Sequence, residues 1–303
     1  MIKSKNVFIC FGAVHYDYLL KLKNNLIKLR TNPINQSKKI GGVAYNIAKI
    51  LSIFSKVTLA SLKISKTLKK EISNENIKIL ELNKKNIDRF YISLSDKNNN
   101  FLLGLANTIN YEKNNSFIKN FPKLNRKIVI LDLNFSKFFI KKLVMNYYKK
   151  NYIIVCGTSV HKVYKINTLL KYLDCIFLNK GELFKLTKID NIKKSLKKII
   201  KINKNIKIIV TNGSKNVYFL NKNVILKGMP PKIKIKDENG AGDALSAIMI
   251  LLLNLKFNIN KVLKYGIAAG SQYATGKKIT KKTDLGKIHR LSKKIIIKKE
   301  YLQ

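Results

Sequence analysis

The sequence predicts an α/β fold with a mainly parallel central sheet, helices over it and a second, smaller sheet. Apolar segments with the length of buried strands alternate with helical segments, an order typical of parallel sheets. Between residues 77 and 107 the pattern changes to short strand-like segments joined by polar turns, which favours a separate small sheet. With 303 residues, 46% of them hydrophobic, the chain is expected to bury one large core as a single domain, residues 1–303.

Each predicted element follows from its local pattern of apolar residues. The first three elements are a strand at 6–14, a helix at 41–54 and a strand at 56–61. The strands predicted for the small sheet are 77–82, 89–95 and 101–107. The later strands of the main sheet are 128–133, 152–156, 175–178 and 206–211. Because ligands of such sheets bind at the carboxyl ends of the strands, the site is expected there.

The formal net charge of +45 and the pI near 10.1 at first suggest a nucleic-acid-binding protein. The composition argues against a specific nucleic-acid partner, because lysine, isoleucine and asparagine are all abundant together, as in chains encoded by A- and T-rich genomes. Arginine, which makes bidentate contacts to phosphates and bases, is rare. It occurs at Arg30, Arg89, Arg126 and Arg290.

The sequence shows no signal for membrane insertion or secretion and no cysteine pattern for metal binding. No apolar stretch approaches the roughly 20 residues of a membrane helix, and the N-terminus has no signal-peptide core, so the chain is predicted to be cytoplasmic without a membrane partner. Cys10, Cys156 and Cys175 lie far apart without metal-ligand spacing, which suits a reducing compartment.

The most informative segment is a glycine turn near the C-terminus. Gly240, Ala241 and Gly242 precede Asp243 and a long apolar stretch, which predicts a tight turn followed by a buried helix. N–H groups at a helix start can bind an anion, and Asp243 can accept a proton from a hydroxyl group beside it. A simple strand–turn–helix junction would use the same residues, so this segment alone does not decide.

A second glycine pair, Gly41 and Gly42, begins the first predicted helix, with Asn46 one turn later. Glycine leaves room for a sugar-sized ligand, and an amide can donate to and accept from hydroxyl groups. Asp17, after the first strand, can accept hydrogen bonds from the same hydroxyls, and nearby His15 can contact the acceptor. Close packing of a helix on a strand, a turn cap at Asp17 and a flanking role for His15 remain alternatives.

Four segments, in order, resemble the signatures of the ribokinase-like (PfkB) family of sugar and nucleoside kinases. They are 41–48, 179–182 (Asn-x-x-Glu), 210–213 (with Thr-x-Gly) and 237–243. The resemblance implies a three-layer sandwich with a mainly parallel central sheet and a small β-sheet lid. It also implies an enzyme that transfers a phosphoryl group from ATP to an alcohol.

The resemblance also implies roles for individual residues. Asp243 is the implied catalytic base, with backbone N–H groups of Gly240, Ala241 and Gly242 around the transferring phosphate. The implied acceptor-binding residues are Asp17, Gly41, Gly42 and Asn46. The implied nucleotide contacts are Thr211, Gly213 and Asn239, and the implied magnesium site is at Asn179 and Glu182. The implied cofactors are ATP and Mg²⁺, a monovalent cation such as K⁺ is left open, and family members often pair as homodimers through the lid strands.

Within the family, further segments are similar to those of the pseudouridine kinases. They are 32–33, 91–96, 106–112, 131–134 and 159–162. This similarity implies transfer to the 5′-hydroxyl of pseudouridine, with another sugar or nucleoside as the alternative acceptor. Glu238, Asn239 and Cys156 depart from the family pattern, and its Gly-Asp-Asp segment after the second strand has no counterpart. These departures leave a third hypothesis, a catalytically silent binding protein with the same fold.

Overall fold

The structure is a computed structural model that describes residues 4–73, 75–83, 89–98, 100–107, 111–112 and 121–302. Its strands are β1 (Ser4–Phe11), β2 (His15–Leu22), β3 (Ile34–Gly41), β4 (Ser55–Ser61), β5 (Ile77–Glu81), β6 (Phe90–Ser95), β7 (Phe101–Ala106), β8 (Ile128–Asp132), β9 (Tyr152–Cys156), β10 (Cys175–Asn179), β11 (Lys207–Thr211), β12 (Val217–Asn221), β13 (Val224–Gly228) and β14 (Ile297–Tyr301). Its helices are α1 (Val43–Ser52), α2 (Lys66–Ile72), α3 (Lys137–Tyr147), α4 (Lys180–Thr187), α5 (Ile192–Ile202), α6 (Ala241–Asn254), α7 (Ile259–Ala274) and α8 (Asp284–Ser292).

The main sheet has the strand order β14-β13-β12-β11-β10-β9-β8-β1-β4-β5. The strands from β11 to β5 are parallel to their neighbours, whereas β12, β13 and β14 add an antiparallel edge. Helices α1, α6 and α7 pack on one face of the sheet, and α3, α4 and α5 pack on the other. The predicted α/β class is therefore confirmed, and the carboxyl ends of the parallel strands share one edge.

The central strands are apolar on both sides because both sides are covered. All five residues of β8 are buried, and the three central residues of β11 are buried as well. Polar caps start several of the helices over them: the side chains of Ser136, Asn191 and Asn258 accept hydrogen bonds from backbone N–H groups in the first turns of α3, α5 and α7. No helix in the described ranges has the length and apolar character needed to span a bilayer.

The small sheet has the order β3-β2-β6-β7, so two of its strands are the ones predicted at 89–95 and 101–107. The prediction for 77–82 is wrong: β5 pairs in parallel with β4 at the edge of the main sheet. Its apolar alternation suits either sheet, and the helix α2 before it makes it part of a parallel crossover.

Strands β2 and β3 complete the small sheet. Strand β3 was not predicted because it is mostly polar and exposed. Strand β2 was not predicted because it follows the strand predicted at 6–14 directly, with no clear break between them in the sequence. In the structure that strand ends at Phe11, and the chain turns before β2 begins at His15. Residue 99 of the predicted hairpin turn and residues 108–110 of the 106–112 segment lie outside the described residues.

Candidate active site

The late glycine turn and the early glycine pair face each other at the carboxyl edge of the main sheet. Gly240 has a φ of 86°, a left-handed conformation that favours glycine, and α6 begins directly after it. The side-chain amide of Asn46, on α1, donates a 2.7 Å hydrogen bond to Asp243 Oδ2. These residues are 197 positions apart in the chain, so this bond joins the two predicted halves of the site.

The Asp243 carboxyl group is poised to hold or release a proton near neutral pH. Burial is the largest cause that raises its pKa, to about 7, and the negative charges of Asp132, Asp17 and Glu182 raise it further. The hydrogen bond from Asn46 acts in the opposite direction because it favours the ionised form. As a whole residue Asp243 is half-buried at the start of α6, next to the cavity-lining residues Ala241 and Gly242.

A cavity of about 740 Å³ lies beside the glycine turn. Five of the residues predicted from the sequence line it, namely Asn179, Thr211, Gly213, Ala241 and Gly242. Its other walls come from the apolar segment at 229–235 and from α7. The volume suits a nucleotide-sized ligand. Asn239, also predicted as a nucleotide contact, lies in the loop before the turn, and its N–H donates to Asp237 Oδ1 at 2.9 Å.

Asn179 and Glu182 form a reciprocal cap at the start of α4. Glu182 N–H donates to the Asn179 side-chain oxygen and Asn179 N–H donates to the Glu182 carboxylate, both at 2.8 Å. Burial raises the pKa of Glu182 to about 7. A Cβ at Gly157 would overlap this carboxylate, so glycine there makes room for it. Both side chains are thus held at the strand edge by the capping box.

The side-chain oxygens of Asn179 and Glu182 already accept hydrogen bonds from backbone N–H groups. They therefore fit a Mg²⁺ ion bound through its water ligands better than one bound directly. Within the described ranges, no cluster of three or more His, Cys, Asp and Glu side chains is arranged to hold a metal ion. Carboxylate and amide oxygens with part of the cation's hydration retained are common for magnesium beside phosphates.

On the acceptor side, Asp17 lies in β2 and touches the glycine pair. A Cβ at Gly41 would overlap the Asp17 carboxylate, and a Cβ at Gly42, which has a φ of 114°, would overlap the carbonyl of Ala13. His15 is buried, with Nδ1 3.0 Å from Asp17 Oδ1. His15 Nδ1 also lies 3.3 Å from the Tyr16 carbonyl, and among the described residues Asp17 Oδ1 is buried without a hydrogen-bond partner. The glycines permit the close approach of β3 and α1 to this part of the molecule.

Asp132 lies in the 131–134 segment, but the sequence did not predict it as a site residue. It is 1% exposed, and its carboxylate accepts hydrogen bonds from the N–H groups of Ala13 (2.9 Å) and Ala44 (3.4 Å). Asn134 donates to it twice, from its backbone at 2.9 Å and its side chain at 2.8 Å. Asp132 thus ties the turn after β1 to the start of α1. The available signal was a carboxylate at the carboxyl end of an apolar strand.

A buried group of charged side chains extends from Asn134 toward the lid. Lys162 Nζ donates to the Asn134 side-chain oxygen at 2.8 Å and lies 3.7 Å from Glu112. Lys165, 1% exposed, lies 3.3 Å from the same carboxylate and donates to two backbone carbonyls. Burial lowers the pKa of Lys162 to about 8. Segments 131–134 and 159–162, distant in sequence, therefore meet here.

Arg89, at the start of the lid strand β6, completes this group. Its guanidinium lies 5.5 Å from the Tyr111 ring centre. Burial lowers its pKa, whereas the charges of Asp132, Asp17 and Glu112 raise it. Within the described part of the chain, its Nε and Nη1 atoms are buried without a hydrogen-bond partner. Arg89 therefore links the lid to the acceptor side electrostatically.

Comparison with known proteins decides the family. The chain matches the family described as pfkB family carbohydrate kinase over residues 8–283. It belongs to the PfkB family. The predicted family is therefore confirmed.

Two curated relatives of this PfkB-family chain are phosphofructokinases. The 1-phosphofructokinase of Borreliella burgdorferi is 30% identical over 126 residues, 39% of this chain and 38% of that protein. The ATP-dependent 6-phosphofructokinase isozyme 2 of Escherichia coli is 27% identical over 86 residues, 28% of each chain. The chain thus aligns with well under half the length of these relatives. Neither of them is a pseudouridine kinase.

Solved structures similar to this PfkB-family chain share its whole fold. A carbohydrate kinase from Agrobacterium tumefaciens has a TM-score of 0.76 at 18% identity, covering 98% of this chain and 100% of that one. A nucleoside kinase from Methanocaldococcus jannaschii has a TM-score of 0.75 at 19% identity, covering 95% and 99%. Phosphofructokinase-2 from Escherichia coli in complex with potassium has a TM-score of 0.75 at 15% identity, covering 95% and 99%. At these identities the similarity shows the ribokinase-like fold.

Proposed function

We propose that this chain transfers the terminal phosphoryl group of ATP to the 5′-hydroxyl of a nucleoside, with pseudouridine as the leading acceptor. The observation that carries the proposal is the 2.7 Å hydrogen bond between Asn46 and Asp243. It brings the acceptor-side glycine pair and the glycine turn into one site, next to a cavity of nucleotide size.

In this proposal Asp243 accepts the proton of the acceptor hydroxyl as its oxygen attacks the γ-phosphorus. Backbone N–H groups of Gly240 and Gly242 are proposed to face the phosphate oxygens at the start of α6. The Ala241 N–H, predicted to do the same, instead donates a 3.1 Å hydrogen bond to the Glu238 carbonyl. Phosphoryl transfer depends mostly on positioning and on charge neutralisation, which these groups provide without covalent chemistry. Mg²⁺, held near Asn179 and Glu182, would neutralise charge on the phosphates. Thr211, Gly213 and Asn239 are the proposed nucleotide contacts.

The charge balance on the acceptor side supports a neutral acceptor. The charged side chains grouped around Arg89 and Lys162 comprise three cations and three carboxylates. They are Arg89, Lys162, Lys165, Asp17, Asp132 and Glu112. The carboxyl group of Asp243 interacts with two of these carboxylates. A sugar phosphate would add uncompensated negative charge to this buried group, which is unfavourable in a poorly hydrated site. A nucleoside instead offers hydroxyl and carbonyl groups that suit Asp17 and the guanidinium donors of Arg89.

Two of the segments that resemble pseudouridine kinases meet in space through the Lys162–Asn134 hydrogen bond, which supports pseudouridine among nucleosides. A second candidate acceptor is a sugar or sugar phosphate, as the names of the phosphofructokinase relatives suggest. The two candidates differ in the charge that they bring to the pocket.

The test is a panel assay with Mg-ATP and purified protein. Pseudouridine, uridine, adenosine, ribose, fructose 1-phosphate and fructose 6-phosphate are compared by ADP release, with mass spectrometry of the phosphorylated product. We expect turnover of pseudouridine and its loss in Asp243→Asn. Turnover of a fructose phosphate with pseudouridine inert would replace the nucleoside proposal by the sugar-kinase candidate.

The alternative of a catalytically silent binding protein rests on Glu238, Asn239 and Cys156, which depart from the family pattern. Titration calorimetry distinguishes it from an enzyme. Binding of pseudouridine with no ADP release, and with the same affinity in Asp243→Asn, would support the silent protein.

A monovalent cation and a lid-mediated dimer are further expectations of the family resemblance. Exposed apolar residues on β7, namely Leu102, Leu103 and Leu105, support a lid contact between two copies. Light scattering of the wild type and of Leu105→Lys would test the dimer, with dissociation expected in the variant.

The site behind the glycine turn does not fit a monovalent cation. Its oxygen atoms, on Asp237 and Ala274, already contact lysine ammonium groups or accept backbone N–H hydrogen bonds.

A further inference from the structure

The loop before the glycine turn carries a carboxylate that two lysines neutralise. Asp237 Oδ2 lies 3.4 Å from Lys39 Nζ and 3.4 Å from Lys278 Nζ. Asp237 Oδ1 accepts the 2.9 Å hydrogen bond from Asn239 N–H. These contacts lower the pKa of Asp237 even though burial alone would raise it. The carboxylate is therefore ionised, and the ammonium groups of Lys39 and Lys278 balance its charge.

A backbone carbonyl beside this loop, at the end of α7, also has hydrogen-bond partners. The carbonyl of Ala274, the last residue of α7, accepts hydrogen bonds from the N–H groups of Lys236 (2.8 Å) and Asp237 (3.2 Å). Potassium ions in proteins are held by several oxygen atoms that replace the hydration shell. The oxygens of Asp237 and Ala274 already have lysine or backbone N–H partners. A free cation here would also lie close to the ammonium groups of Lys39 and Lys278, which would repel it.

Lys278 is held in this place by the partly buried ring of Tyr273. Its Nζ lies 3.8 Å from the centre of the Tyr273 ring, a cation–π contact. The same ring packs against the turn, since a Cβ at Gly240 would lie 3.0 Å from Tyr273 Cε1. Lys39 comes from the lid strand β3, so its contact depends on the lid, whereas Lys278 follows α7. Lys278 is the cation that stays beside the turn.

We propose that Lys278 acts as a tethered monovalent cation: its ammonium group holds Asp237 and the glycine turn in place, so that this chain needs no free K⁺. The proposal deepens the proposed kinase function and rests on it for the activity measurement. Lys278 is a positioning residue, because it acts on the turn through Asp237 and Tyr273.

The experiment compares wild type, Lys278→Met and a matched control, Lys277→Met, whose lysine is exposed and adjacent in sequence. Initial rates and melting temperatures are measured in KCl, NaCl and tetramethylammonium chloride at equal ionic strength. We expect wild type and Lys277→Met to be indifferent to the cation in both measurements. Lys278→Met should lose about tenfold in rate in tetramethylammonium chloride, regain part of it in KCl, and melt higher in KCl than in tetramethylammonium chloride.

Two results would overturn the proposal. One is a wild-type rate or melting temperature that rises specifically with K⁺, and the other is a Lys278→Met variant that matches Lys277→Met in every salt. If the wild type phosphorylates no acceptor in any salt, the kinase function fails instead. The melting comparison then still tests the cation, because it needs neither acceptor nor turnover.

Discussion

The phosphate side and the acceptor side of the candidate site are built in different ways. On the phosphate side, one continuous segment from 237 to 246 supplies the turn, the helix start and Asp243. The acceptor side is assembled from separate strand ends and the lid, including Asp17 in β2, Gly41 in β3 and Asp132 in β8. The glycine turn thus belongs to one segment, although Lys278 and Tyr273 lie against it, whereas the acceptor pocket depends on several elements at once.

The phosphate side should show the largest single effect. In Asp243→Asn the base is lost, so we expect kcat/KM to fall by about 10²- to 10⁴-fold. The folded-state pKa of about 7 lies above the ordinary value of 3.8, so the cost of Asp243 to folding stability grows as pH rises from 3.8 to about 7 and stays constant above that. Asp243→Asn should therefore raise the melting temperature more at pH 8 than at pH 5, which calorimetry at the two pH values measures. An Asp243→Asn variant that melts at a lower temperature than wild type at pH 8 would contradict the assigned environment.

Glycine-to-alanine changes test the two sides separately. A methyl group at Gly242 has no protein atom within 4 Å, so Gly242→Ala should fold normally while the methyl group, which faces the cavity, reduces phosphoryl transfer by about tenfold or more. Gly41→Ala should displace Asp17 and raise the acceptor KM by about tenfold with the KM for ATP unchanged. Steady-state kinetics with each substrate varied in turn distinguishes these outcomes, and an equal effect on both KM values would remove the contrast.

Asn46→Ala tests the bond between the sides. Because Asn46 donates to the ionised carboxylate, its removal should raise the pKa of Asp243 and move the acid limb of the kcat/KM profile to higher pH. Activity should fall more at pH 6 than at pH 9 relative to wild type. A loss that is equal at all pH values would mean that Asn46 acts on the acceptor alone.

The smallest effect is expected at the cap of α4. Asn179→Ala removes one half of the capping box and should destabilise the fold by about 1 kcal/mol. Denaturant titration measures this cost. The Mg²⁺ concentration needed for half-maximal rate should rise in the same variant, and an unchanged requirement would remove Asn179 from the metal site.

The contrast between the two sides also explains what could be predicted from the sequence. The parallel sheet and the glycine turn were predictable because apolar periodicity and Gly-Ala-Gly-Asp spacing are local signals. The polar strand β3 and the main-sheet position of β5 were not, since strand partners are set by tertiary contacts. Asp132 and Arg89 were missed for the same reason, because their significance comes from partners far away in sequence.

The hydrogen bond from Asn46 to Asp243 spans 197 residues, with consequences for synthesis and turnover of the chain. While the ribosome has released only the first two hundred or so residues, the nascent polypeptide already carries the early glycine pair and the carboxyl edge of several strands, yet the candidate site is incomplete. The proposed phosphotransfer requires that the last fifth of the chain has emerged and docked. Cleavage by a protease between these two positions, followed by separation of the fragments, would silence the protein without touching either residue.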